Sequence, residues 1–213
     1  MLELRNISVG YADQPIISNL SLAVATKEIV SLVGPSGSGK TTLLRVIAGL
    51  EKPRTRSILI DGSDISAVPT HQRGIGLVFQ DNQLFPHLTV EQNIAYPLRM
   101  RGLSKDAYLP QVEVMLQLIG LQQFGSRHVQ HLSGGEAKRV AVARSLIAQP
   151  SVLLLDEPLT GLDTELHDRL LRDIAALLRA RGTTVVHVTH DLREATTLSD
   201  RVIDIREIGA TCK

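Results

Sequence analysis

Apolar and polar positions alternate over Leu2–Val9 and Ile16–Val24, the period of a half-buried strand, with a turn-rich link at Asp13–Pro15 between them. Glu28–Val33 is a short apolar strand that runs into a glycine-rich loop, and Lys40–Leu50 continues as a helix. Ser57–Ile60 reads as a strand ended by the turn pair Asp61-Gly62, and Ile75–Phe79 as a further apolar strand. From about Phe85 to His131 the strand signal stops. Apolar residues recur there at helical spacing, in Val90–Leu98 and Val112–Ile119, which predicts a small helical lobe. Strand and helix then alternate to the end: a helix after Ser133, a strand over Ser151–Leu155, a helix over Glu165–Arg181 and a strand over Thr184–Val188. A helix at Leu192–Leu198 and a strand at Val202–Ile205 close the series. Such alternation predicts an α/β fold with a parallel sheet covered on both faces.

Composition narrows this picture. Of 213 residues, 43% are hydrophobic and only 3% aromatic, so aliphatic side chains must build the core. The net charge of +1 gives no electrostatic reason to expect nucleic acid or an anionic membrane surface as main partner. The single cysteine, Cys212, can form no internal disulfide, which fits a reducing compartment. The opening MLELRNISVG alternates like a strand and is not expected to be a signal peptide. No apolar run approaches the roughly 20 residues of a membrane helix, so any membrane role is expected to come through a partner.

Three segments carry chemistry. Gly34-Pro35-Ser36-Gly37-Ser38-Gly39-Lys40-Thr41 matches G-x-x-x-x-G-K-[ST] between a strand and a helix. Glycines there let backbone N–H groups approach phosphate oxygens, and the helix N-terminus adds partial positive charge. Lys40 is expected at the β- and γ-phosphates, and the Thr41 hydroxyl on Mg²⁺. Val152–Leu155 is an apolar run ending in Asp156-Glu157. Asp156 is placed to orient Mg²⁺ through water, and Glu157 to polarise an attacking water. Leu132-Ser133-Gly134-Gly135-Glu136 precedes a helix; alone it reads equally well as an ordinary N-cap or an anion site.

The third segment closely resembles the LSGGQ signature of the ABC ATPases. The order of motifs is also similar to that family: phosphate loop, Gln80 after a strand, helical lobe, signature, Asp156-Glu157, Leu162-Asp163, then His190. The resemblance covers nearly the whole chain. It implies a P-loop NTPase with a parallel core sheet, an antiparallel β subdomain and an inserted helical lobe. The core would take residues 1–84 and 132–213, and the lobe 85–131. It also implies a head-to-tail dimer sandwiching two ATP molecules, with the phosphate loop of one subunit facing Ser133, Gly134, Gly135 and Glu136 of the other. Tyr11 would stack on adenine, and Thr42 would join the nucleotide-binding residues. Gln80 would contact Mg²⁺ and the attacking water, Asp163 would lie at the dimer contact, and His190 would hold the γ-phosphate.

Three departures stand out. Glu136 replaces the usual Gln of the signature, and Arg56 stands where many relatives carry Gly. The sequence also stops soon after Ile205, without the regulatory β-domain of many import ATPases, so control through such a domain is not expected. The segment Gly76–Val90 looks most like importers of metal ions, polyamines, thiamine or oxyanions. The implied partners are transmembrane permease subunits and a substrate-binding protein, at the cytoplasmic face of the membrane. Competing readings are an ABC exporter or cell-division-type ATPase, and a soluble ABC protein acting on DNA or the ribosome. Among Leu84, Phe85, Pro86 and Leu88, two fates are open: packing inside the lobe, or lining a groove for a permease helix, the favoured one. His128, His131 and His187 have no zinc-like spacing and are expected to be structural or solvated.

Overall fold

The computed structural model describes residues 1–11, 14–54, 57–162 and 164–211. Strands β1 (Leu2–Tyr11) and β2 (Gln14–Val24) pair antiparallel, with register shifts between Leu4 and Gly10. β3 (Ile29–Val33) leads through the glycine loop into helix α1 (Lys40–Ala48). That helix is shorter than its apolar pattern because Gly49 adopts φ 82°, and its N–H caps the carbonyls of Arg45 and Val46. β4 (Ile58–Ile60) and the two-residue β5 (Ser63–Asp64) extend the first sheet, whose order is β10 (Ala210–Thr211), β2, β1, β4, β5.

β6 (Ile75–Val78) begins the second sheet. The chain then leaves it for α2 (Val90–Met100) and α3 (Lys105–Leu118). A capping box between Thr89 and Gln92 fixes the start of α2. α4 (Gly134–Ile147) returns to β7 (Val152–Asp156), followed by α5 (Thr164–Arg181), β8 (Thr184–Thr189), α6 (Leu192–Leu198) and β9 (Arg201–Asp204). Asp204 ends β9 one residue before its apolar pattern does, because its carboxylate accepts from Arg206 N and caps α7 (Ile205–Ile208). β10 (Ala210–Thr211) then pairs with β2.

The second sheet runs β6-β7-β8-β3-β9 and is parallel throughout. Its strands alternate between two cores, as a sheet buried on both faces requires. Val152, Leu154, Val186, Val188, Val30 and Leu32 pack with α1 and the antiparallel sheet. Leu153, Leu155, Val185 and Ile29 pack on the other side with α2, α3, α4 and α5. The helical segment therefore shares one core with α4, α5 and the sheet and does not enclose a core of its own. The backbone of Tyr11 is described but its side chain, which carries the expected adenine contact, is not; Arg56 and Asp163 lie outside the described residues. Among the described residues, no helix is long and apolar enough to cross a membrane.

Candidate functional site at the carboxyl ends of the parallel strands

The glycine loop leaves β3 and turns back through two left-handed positions, Gly37 at φ 81° and Gly39 at φ 88°. Gly39 is doubly constrained: a Cβ there would stand 2.9 Å from Ile16 Cγ2 and Ile17 Cγ1. Lys40 is buried, and its ammonium donates to the carbonyls of Gly34 at 2.7 Å and Pro35 at 3.0 Å. Burial lowers its pKa, against the raising effect of Glu157, Asp156 and Asp204.

Thr41, in the first turn of α1, donates its hydroxyl hydrogen bond to Asp156 Oδ1 at 2.9 Å. Asp156 is the buried last residue of β7; burial raises its pKa, opposed by the Thr41 hydrogen bond. Glu157 follows at φ 43°, a left-handed conformation that costs a non-glycine residue on the order of 1 kcal/mol or more. Its N–H donates to Val188 O on β8 at 3.1 Å, which pins this turn to the neighbouring strand. The Glu157 carboxylate accepts from Thr160 Oγ1 at 3.2 Å and lies 3.2 Å from His190 Nδ1. His190 itself projects from the end of β8 with a side chain 57% exposed.

A cleft of about 490 Å³ opens between these parts, lined by Ser36, Gly37, Gly39, Lys40, Thr41, Thr42, Gln80 and Glu157, with Ile16 at its edge. One chain thus brings together the phosphate-loop residues, the exposed Gln80 after β6, and Glu157 with His190. Ser133 and Gly134 are exposed elsewhere, at the start of α4, and are not part of this cleft. Gly135 is buried; a Cβ on it would come within 3.0 Å of Leu166 and 3.1 Å of Leu170, so α4 lies close against α5 there.

Other residues at the site escaped the sequence reading. Arg144 on α4 donates to the carbonyls of Gln83 at 2.9 Å and Asn82 at 3.0 Å. It thereby holds the turn that follows Gln80, where Asn82 and Gln83 both have positive φ. Asn93, fully buried in α2, accepts from Phe85 N and donates to Phe85 O, clamping the next stretch of backbone. A single arginine or asparagine inside a helical pattern carries no signal of such a role. The members of the apolar segment 84–88 differ in their surroundings. Leu84 packs against the core, while Phe85 stacks on Tyr96 with centroids 4.3 Å apart and lines a surface cavity of about 360 Å³ with Pro97 and Arg144. His128 and His131 are exposed, and His187 is fully buried.

A glycine loop opening a helix, beside a parallel strand that ends in two carboxylates, defines the class: a P-loop NTPase fold. The family model for ABC transporters matches residues 17–160, and the chain belongs to the ABC transporter family. It is 47% identical over 203 residues to the spermidine/putrescine import ATP-binding protein PotA of Spiroplasma citri, covering 95% of this chain and 58% of that protein. It is 46% identical over 207 residues to the Fe(3+) ions import ATP-binding protein FbpC of Streptomyces coelicolor, covering 97% and 60% respectively. The chain therefore spans less than two thirds of the length of these curated relatives. Among solved structures, the dimeric post-hydrolysis state of the ATP-binding cassette MJ0796 bound to ADP and Pi superposes with a TM-score of 0.82. It is 32% identical, with 96% of this chain and 94% of that chain covered.

Proposed function

We propose that this chain is the ATP-binding and ATP-hydrolysing subunit of an ABC transporter that imports a small solute. The observation that carries the reading is the convergence of Lys40, Thr41, Gln80 and Glu157 on one cleft, with His190 touching Glu157. The loop N–H groups and the start of α1 receive the phosphates, and Lys40 exchanges its two carbonyl partners for phosphate oxygens. Thr41, Asp156 and Gln80 form an all-oxygen donor set, which suits Mg²⁺, and the Thr41–Asp156 contact holds two of these donors side by side. When bound, Mg²⁺ would neutralise charge on the β- and γ-phosphates. Glu157 accepts a hydrogen bond from the attacking water and aligns it with the γ-phosphorus, while the bond to the bridging oxygen breaks toward ADP. His190 and Gln80 take the γ-phosphate contacts in this reading.

Ser133 faces solvent at the start of α4, outside the cleft, so a second copy would complete each site head to tail. Tyr11 and Asp163 take the adenine-stacking and dimer-contact roles in this reading. Residues 85–131 form the helical lobe against the core of 1–84 and 132–213 in this reading. The Phe85 cavity receives a helix of a transmembrane permease, which would hold the chain at the cytoplasmic face of a membrane, and a substrate-binding protein delivers the solute. Both curated relatives carry import in their names, for spermidine/putrescine in one case and Fe(3+) in the other.

Lys40→Ala tests the nucleotide assignment. Purified protein with Mg-ATP is expected to release phosphate, and the variant to lose that activity by about two orders of magnitude or more. Equal rates in the two proteins would remove ATP hydrolysis from this cleft.

A further inference from the structure

Behind the His190 turn lies a buried polar chain that the proposed chemistry does not use. Ser31 on β3 and His187 on β8 are register partners, and Ser31 Oγ lies 2.9 Å from His187 Nδ1. His187 and Thr189 project from the same face of β8, two residues apart. The carboxylate of Glu194, in the first turn of α6, reaches both: Oε2 accepts from Thr189 Oγ1 at 2.6 Å, and Oε1 lies 3.3 Å from His187 Nε2. The second contact is close but does not meet hydrogen-bond geometry. Thr189 Oγ1 in turn accepts from Asp191 N at 3.0 Å.

All four side-chain positions are closed to solvent: Ser31 and His187 at 0%, Thr189 at 1% and Glu194 at 4% exposure. A buried carboxylate is costly unless it is paired and hydrogen-bonded, as this one is. Burial pushes the Glu194 carboxyl up, but His187 and the Thr189 hydroxyl outweigh it and hold it below its ordinary value. Lys138 on α4 and His167 on α5 face the same carboxylate. Glu194 therefore stays an acceptor, held from β8 by Thr189 and His187, and the residue it grips is the immediate neighbour of His190.

We infer that Glu194 is a positioning residue for His190: through Thr189 it sets the backbone from which that imidazole meets Glu157. The inference rests on reading the cleft as an ATP-hydrolysing site. Its consequence is specific. Loss of the carboxylate loosens the Thr189–Asp191 turn without touching the phosphate loop, so turnover falls while nucleotide affinity holds. Where His190 has already been removed, Glu194 has nothing left to position.

A double-mutant cycle in phosphate release decides this. Glu194→Ala is expected to lower kcat at least about tenfold with little change in Mg-ATP affinity, and Glu194→Gln, whose amide oxygen still accepts from Thr189, to recover most of it. In a His190→Ala background, Glu194→Ala is expected to add little further loss. Equal losses in both backgrounds, or full activity of Glu194→Ala, would overturn the inference. If the wild-type chain does not hydrolyse ATP, or His190→Ala hydrolyses it at the wild-type rate, the functional reading itself falls. Amide hydrogen exchange of residues 189–191 then decides alone: faster exchange in Glu194→Ala with the rest unchanged supports the positioning role, and unchanged exchange contradicts it.

Discussion

Ser133 and Glu136 hydrogen-bond each other's backbone: Ser133 Oγ accepts from Glu136 N at 3.3 Å, and Glu136 Oε2 accepts from Ser133 N at 2.7 Å. This reciprocal cap satisfies two otherwise free donors at the start of α4. It also explains how the signature tolerates Glu in place of Gln, since either side chain offers an oxygen three residues after the serine. Glu136→Gln is expected to unfold at the wild-type urea midpoint, whereas Glu136→Ala should cost on the order of 1 kcal/mol. Equilibrium unfolding of the three proteins checks this.

Gly39→Ala should fail for two separate reasons. The added methyl meets Ile16 and Ile17 at 2.9 Å, and the backbone there has φ 88°. The strain alone costs on the order of 1–3 kcal/mol. Relief by movement would shift the loop that presents Lys40 to the cleft. A melting temperature several degrees below wild type is expected, together with weaker Mg-ATP binding by calorimetry. Gly37→Ala provides the comparison, because no atom lies within 4 Å of a Cβ at that position and only the backbone conformation is disfavoured.

Much of this architecture was legible in the residues. Short apolar runs such as Val152–Leu155 fit strands buried on both faces, and the glycine loop lies between such a strand and a helix. The termini of elements were less legible where a side chain decides them: Gly49 ends α1, and Asp204 switches the chain from β9 to α7. The two-residue strands β5 and β10 carry no periodicity at all. Within the site, Lys40, Thr41, Asp156 and Glu157 were marked by motif and order. Arg144, Asn93 and Glu194 were not: Arg144 reaches carbonyls in a distant segment, and Asn93 and Glu194 bond back across turns to Phe85 and Thr189, contacts that exist only once the chain has folded. Tertiary pairing of that kind leaves no local pattern.

Phe85 offers a test of the proposed membrane partner. Its ring packs on Tyr96 and under the Arg144 guanidinium, 5.2 Å from the ring centre, while its backbone is held by Asn93. Phe85→Asp should therefore leave Mg-ATP affinity of the isolated subunit unchanged, since the site it disturbs is separate from the phosphate loop. Co-purification with the permease and uptake in cells should both be lost. A folded variant that still assembles and transports would place the docking surface elsewhere.

Glu157 lies within 3.2 Å of both His190 and Thr160, at the mouth of the cleft that Lys40 lines. Replacing its carboxylate by an amide keeps the size of the side chain and removes the group proposed to polarise water. Incubating Glu157→Gln with Mg-ATP and measuring phosphate release, bound nucleotide and particle size in one experiment is the most direct test of ATP hydrolysis at this site. Phosphate release lowered about a hundredfold or more, with uncleaved ATP eluting on a dimer, is the expected result. Release at the wild-type rate, or a variant that binds ATP yet stays monomeric at high concentration, would contradict it.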